Sequence, residues 1–219
     1  MADGVVGDPL ASDRSCAAAS DPTVQQTIVV TTKRVNQTIA FVALANTTLA
    51  RSPVTVSAIA SSGLKVTFTT MAPSVCTSGG TNGATITLLK AGTCVVQASQ
   101  AGNGTYNAAT SVFRSFTVSK ANSKIALNLS VAKATYGHEQ SEHLSVTVSR
   151  YFGKTPTGMV TITESTTQLC VVELSSGKGS CALSANKLKA GSYSLVATYG
   201  GSADFKGSIS AKETLTIAK

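Results

Sequence analysis

Lys90-Ala91-Gly92-Thr93-Cys94-Val95-Val96-Gln97-Ala98-Ser99 returns ninety-nine residues later as Lys189-Ala190-Gly191-Ser192-Tyr193-Ser194-Leu195-Val196-Ala197-Thr198. The register then holds without a gap, so that Lys120 falls on Lys219, and eight of the 31 aligned positions are identical. Apolar residues keep their parity across the copies: Val96 falls on Leu195, Ala98 on Ala197, Phe116 on Leu215 and Val118 on Ile217. Strict alternation is the mark of a strand with one buried face. Each copy therefore reads as a Gly-rich turn, a long strand, a loop carrying one aromatic (Tyr106 or Phe205) and a closing strand. A supersecondary unit used twice points to a repeat architecture.

Outward from these copies, the other segments alternate in the same way. Val54, Val56 and Ala58 share one face, as do Val66 with Phe68, and Ala84 with Ile86 and Leu88. Further on come Ile125, Leu127, Leu129 and Val131, then Leu144, Val146 and Val148, then Val160 and Ile162. Ser61-Ser62-Gly63, Ser78-Gly79-Gly80, Asn82-Gly83 and Thr155-Pro156-Thr157-Gly158 separate them as turns. Short strands at this spacing predict an all-β chain of two tandem β-sandwiches with about seven strands each. A third, partial copy lies upstream: Thr27-Ile28-Val29-Val30-Thr31 before Lys33 reads like Ser115-Phe116-Thr117-Val118-Ser119 before Lys120. The expected organisation is a leader over 1–34 with an orphan strand at about 24–33, a module over 35–120 and a module over 121–219. The seam Ser119-Lys120-Ala121-Asn122 holds neither Gly nor Pro, which favours a stiff tandem.

Composition narrows the chemistry. Charged residues make up 13% of the 219, about half the usual share of roughly 25%. The abundance of Thr, Val, Ser and Gly argues against helical bundles. The longest apolar run, Ile39 to Ala45, is too short for a membrane-spanning helix, so no membrane insertion is expected. The net charge is +8, and residues 35–120 contain no acidic residue at all. The cations are scattered singly and lack interleaved aromatics, so they read as a solubilising charge rather than a nucleic-acid surface. Met1 to Ser20 has no apolar core and does not read as a signal peptide, so the chain reads as a piece of something longer.

Five cysteines are present, at 16, 76, 94, 170 and 181. Cys94 has the core-facing parity of Val96 and Ala98, Cys170 that of Val172 and Leu174, and Cys181 that of Leu183. The turn at Ser175-Ser176-Gly177 would set 170 opposite 181 on a hairpin, with Gly177 in the left-handed conformation. Cys76–Cys94 and Cys170–Cys181 are the expected disulfides, which implies an oxidising compartment; Cys16 is left over. His138-Glu139-Gln140-Ser141-Glu142-His143 gathers both histidines and two carboxylates. Its spacing differs from the His-Glu-x-x-His of a helical zinc site, and in an extended chain 138 and 143 point to opposite faces. It reads as a polar turn before Leu144.

Ala134-Thr135-Tyr136-Gly137, the run Lys154 to Ile162 and the run Lys189 to Tyr199 together resemble the group-3 bacterial immunoglobulin-like repeats. Residues 35–120 resemble a related repeat of large bacterial surface proteins, through Ser62-Gly63-Leu64, Pro73-Ser74-Val75-Cys76, Ala91-Gly92-Thr93-Cys94 and Ala98 to Asn103. The resemblance implies export, tandem arrays and stalk or adhesive work, with no catalytic residue and no cofactor. One departure is the loop Gly200-Gly201-Ser202-Ala203-Asp204-Phe205, where the family more usually places an acid directly after the first Gly.

The leading expectation is a non-enzymatic stalk or spacer module, extracellular or at the cell surface. Its partners would be other modules of the parent chain or copies of itself, with surface polysaccharide as a further candidate. A second reading is a filament subunit that donates Val24, Thr27, Ile28, Val29, Val30 and Thr31 as a strand to another copy. A third is a carbohydrate-binding module, for which five Tyr and no Trp offer little stacking surface.

Overall fold

The computed structural model describes residues 33–149 and 153–219. Residues 24–32 of the orphan strand expected at 24–33, with all of its strand-donation residues, and Cys16 lie outside the described residues. Arg34–Lys219 forms one compact unit. Its strands are β1 (Ile39–Ala40), β2 (Thr47–Thr48), β3 (Val54–Thr55), β4 (Ile59–Ala60), β5 (Thr67–Thr70), β6 (Cys76–Gly79), β7 (Thr85–Leu88), β8 (Gly92–Ser99) and β9 (Val112–Ser119). There follow β10 (Ile125–Leu129), β11 (Lys133–Thr135), β12 (His143–Val148), β13 (Met159–Glu164), β14 (Thr167–Glu173), β15 (Lys178–Ala182), β16 (Gly191–Tyr199), β17 (Ser208–Ile209) and β18 (Glu213–Ala218). The chain is all-β, interrupted among the described residues only by three single 3-10 turns.

In the N-terminal half, β2-β9-β8-β5 and β3-β7-β6 form two sheets, with β1 and β4 as a separate pair. In the C-terminal half, β10-β12-β15 forms one sheet and β11-β18-β16-β13-β14 the other, with β17 beside β16. No described sheet contains strands from both sides of 120–124. The repeat is visible as register: Gly92 pairs with Val118 in β8–β9, and Gly191 with Ile217 in β16–β18. Each half also lays one short strand parallel to its last strand, β2 on β9 and β11 on β18. The opening strand of each half thus changes sheets partway, pairing first through β1 or β10 and then through β2 or β11. This switching adds one segment to each half; the break between β3 and β4 adds a second in the N-terminal half and the two-residue β17 a second in the C-terminal half, so nine stand where about seven strands are expected.

Alternation correctly assigns the core. Cys94, Val96 and Ala98, Leu144, Val146 and Val148, and Leu195 and Ala197 are all buried. Two expectations need correcting. Val131 shares parity with Ile125 but is 40% exposed, because β10 ends at Leu129 and the chain turns before β11. The single alternating strand expected over Val54–Ala58 ends at Thr55 and pairing resumes at Ile59, while the Val56 N–H donates to Ala84 O at 2.9 Å.

Candidate functional site: the junction of the two halves

The aromatic loops of the repeat are superimposable in their hydrogen bonding. In the first, Val35 N–H donates to Thr105 O (2.8 Å), Asn107 N–H donates to Val35 O (2.9 Å) and Asn103 N–H donates to Tyr106 O (3.0 Å). In the second, Ala121 N–H donates to Asp204 O (2.9 Å), Lys206 N–H donates to Ala121 O (2.8 Å) and Ser202 N–H donates to Phe205 O (2.9 Å). A side chain two residues past each bridge locks the loop again. Gln37 Nε2 donates to Asn107 O at 2.6 Å and Ser123 Oγ donates to Lys206 O at 2.7 Å. The sharp turn needs glycine at Gly102 and Gly201, both at positive φ, where a Cβ would strike the carbonyl oxygens of Tyr106 and Phe205. Phe205 is buried and Tyr106 half-buried, so neither forms an exposed stacking platform.

The second loop does more than close its own half. Asp204 Oδ1 accepts the Ala91 N–H at 3.1 Å, reaching from the C-terminal half to the Gly-rich turn of the N-terminal half. Lys154 Nζ stands 3.6 Å from Asp204 Oδ2, and Lys120 Nζ donates to Ser202 O at 2.7 Å. Leu49, Ala50, Leu88, Leu89, Ala121 and Phe205 border a hollow of about 340 Å³ there. The N-terminal half carries only positive charge over 35–120, so Asp204 brings a carboxylate to a purely basic partner. A hydrogen bond to an ionised acceptor is about twice as strong as a neutral one. The sequence signal was present in the displaced acid of the Gly200–Phe205 loop, but alternation alone could not say what it touched.

The structure joins Cys76 to Cys94 and Cys170 to Cys181, with Cα atoms 5.8 Å and 6.7 Å apart. Their placement differs. Cys76 and Cys94 link β6 to β8 across the core of the N-terminal half, at 0% exposure. Cys170 and Cys181 are half-buried, and the single hairpin ladder expected for them is not what forms. Ser175 and Lys178 close a tight turn through Ser176 and Gly177, both at positive φ, after which β14 and β15 part into different sheets. The bridge therefore clips two sheet edges together.

The His138–His143 segment is not simply a polar turn. Both histidines are exposed, but Glu139 and Glu142 are at 0% exposure. Glu142 accepts the N–H groups of Ser130 and Val131, each at 2.8 Å, through its two carboxylate oxygens. Glu139 Oε2 accepts the Asn186 N–H at 2.9 Å. Burial by itself raises the Glu139 pKa, but the nearby amides of Glu139, Asn186 and Gly137, helped by His138, outweigh it and hold the carboxyl below its usual value. Glu142 has the parity of Leu144 and Val146, so its inward direction was legible; the backbone amides awaiting it were not. Among the described residues, no three His, Cys, Asp or Glu side chains gather as a metal site.

Residues 127–218 match the sequence profile of the bacterial Ig-like domain (group 3). No curated protein matches the chain. Among solved structures, the adhesin InvE of Yersinia pseudotuberculosis is similar at 14% identity and a TM-score of 0.38, over 83% of this chain and 58% of that one. Domains 4 and 5 of the S-layer protein SbsC are similar at 16% identity and a TM-score of 0.32, over 84% of this chain and 98% of that one. The D00-D0 domain of intimin follows at 12% identity and a TM-score of 0.30, over 82% and 99%. TM-scores of this size say nothing about function, and the chain spans only 58% of the InvE structure.

Proposed function

We propose that the chain is a non-enzymatic structural or adhesive segment of a bacterial surface or secreted protein, in which modules over 35–120 and 121–219 act as one stiff spacer. The observation that carries this reading is the junction. The loop that pins Ala121 within its own half also crosses to the other, where Asp204 Oδ1 accepts the Ala91 N–H and Ser202 O accepts from Lys120 Nζ. A tether meant to flex would leave the connecting backbone unpaired and solvated. Two disulfides support an oxidising, extracellular setting. The family matched by residues 127–218 supports a bacterial source.

An antibody against residues 33–219 tests the location. Labelling of intact cells of the source bacterium, or recovery from its medium, is expected; labelling only after permeabilisation overturns the reading.

A further inference from the structure

Ala91 and Ala190 occupy the same place in the repeat, yet their amides differ in fate. Ala91 N–H meets the Asp204 carboxylate and is half-buried. Ala190 is exposed, and its N–H donates to no protein group among the described residues. The surroundings repeat as well. Lys90 and Lys120 have Lys189 and Lys219 as counterparts, and Lys120 already bonds the loop that Asp204 belongs to. Leu49 follows the parallel edge strand β2 as Tyr136 follows β11. Tyr136, Lys189, Ala190 and Lys219 border a hollow of about 370 Å³, comparable with the 340 Å³ hollow beside Phe205.

We propose that the end face formed by Tyr136, Lys189, Ala190 and Lys219 is a socket for one occupant: the loop of a further immunoglobulin-like module in which a carboxylate directly precedes an aromatic. This rests on the modular reading above. A free amide flanked by two lysines selects an anion, and the hollow beside Tyr136 takes the aromatic that follows it. A second copy of this chain does not supply that pair. Its Asp204–Phe205 loop is already engaged on its own Ala91, and its other loop offers the uncharged Thr105 before Tyr106.

The test joins a second copy of residues 121–219 directly after Lys219 and follows amide hydrogen exchange. Ala190 exchange is expected to slow by about tenfold or more, and Asp204→Asn in the added copy alone restores the original rate. If the strand amides of the added copy are protected while Ala190 exchanges as before, or if Asp204→Asn leaves Ala190 protected, the socket is refuted. Thr105→Asp in the unextended chain gives a second route, because it creates the acid–aromatic pair at the opposite end. That variant should associate head to tail where the parent stays monomeric. A monomeric variant, or a parent that already associates through Ala190, counts against the proposal. Fast exchange at Ala91 in the unextended chain would instead sink the stiff-spacer reading.

Discussion

The two halves of this molecule share one hairpin design and stabilise the rest of themselves by different chemistry. The N-terminal half has no carboxylate over 35–120 and places a disulfide at the centre of its core. Its opening strand pairs over only two residues, Ile39–Ala40 against Ile59–Ala60, and a hollow of about 590 Å³ opens beside Leu44, Val54 and Phe116. In the C-terminal half the corresponding ladder runs unbroken over five residues, Ile125–Leu129 against Leu144–Val148. There the disulfide moves to the sheet edge, and buried Glu139 and Glu142 secure the loops at Asn186 and at Ser130–Val131. A covalent link has taken the central place where backbone pairing is short, and carboxylates serve where pairing is complete. The two strategies fail under different conditions, which makes them separable.

The largest effect is expected from Cys76→Ala with Cys94→Ala. Removing a link across 18 residues costs about 3 kcal/mol in chain entropy, and the loss of fully buried sulfur adds about 1 kcal/mol more. Denaturant unfolding should show the N-terminal half melting first; unchanged unfolding would break the comparison. Cys170→Ala with Cys181→Ala releases a shorter loop of 11 residues, so it costs at most about 3 kcal/mol, with little cavity penalty at a half-buried site. Mild reductant should accordingly open Cys170–Cys181 before Cys76–Cys94, as read by mass after thiol alkylation.

Glu142→Ala removes the buried carboxylate that accepts the Ser130 and Val131 amides and should cost the C-terminal half about 1.5–3 kcal/mol, with Glu142→Gln milder because it keeps one acceptor. Glu139 gives the pH arm. Its folded pKa is lowered, so its contribution is complete above the unfolded glutamate value of about 4.3 and is lost as pH falls below it. Acid unfolding should therefore begin in the C-terminal half, and Glu139→Gln should flatten that dependence. A steeper loss in the N-terminal half would contradict this, since residues 35–120 have no carboxylate to protonate. Asp204→Asn has the smallest expected cost, about 1 kcal/mol, but it should speed exchange at the Ala91 amide while leaving the core amides of both halves protected.

Alternation and the repeat made the all-β fold, the core face of most strands and the matched aromatic loops legible in advance. They worked because a strand has a fixed period and a repeat preserves its core. Partnership was less legible. Nothing local in Asp204 points to Ala91, 113 residues away, and nothing in Cys170 and Cys181 reveals that their strands part into different sheets after the Ser176–Gly177 turn. Glu142 lay between: parity turned it inward, but the Ser130 and Val131 amides that satisfy it appear only once β10 has ended.

The central claim is that the two halves are held as one stiff unit by the loop at Asp204–Lys206. Residual dipolar couplings measured on the amides of both halves in one aligned sample test it most directly. A single alignment tensor fitting Val96, Val118, Val160 and Leu215 together is the result this account expects. Two tensors of different orientation and magnitude, one for each half, would contradict it.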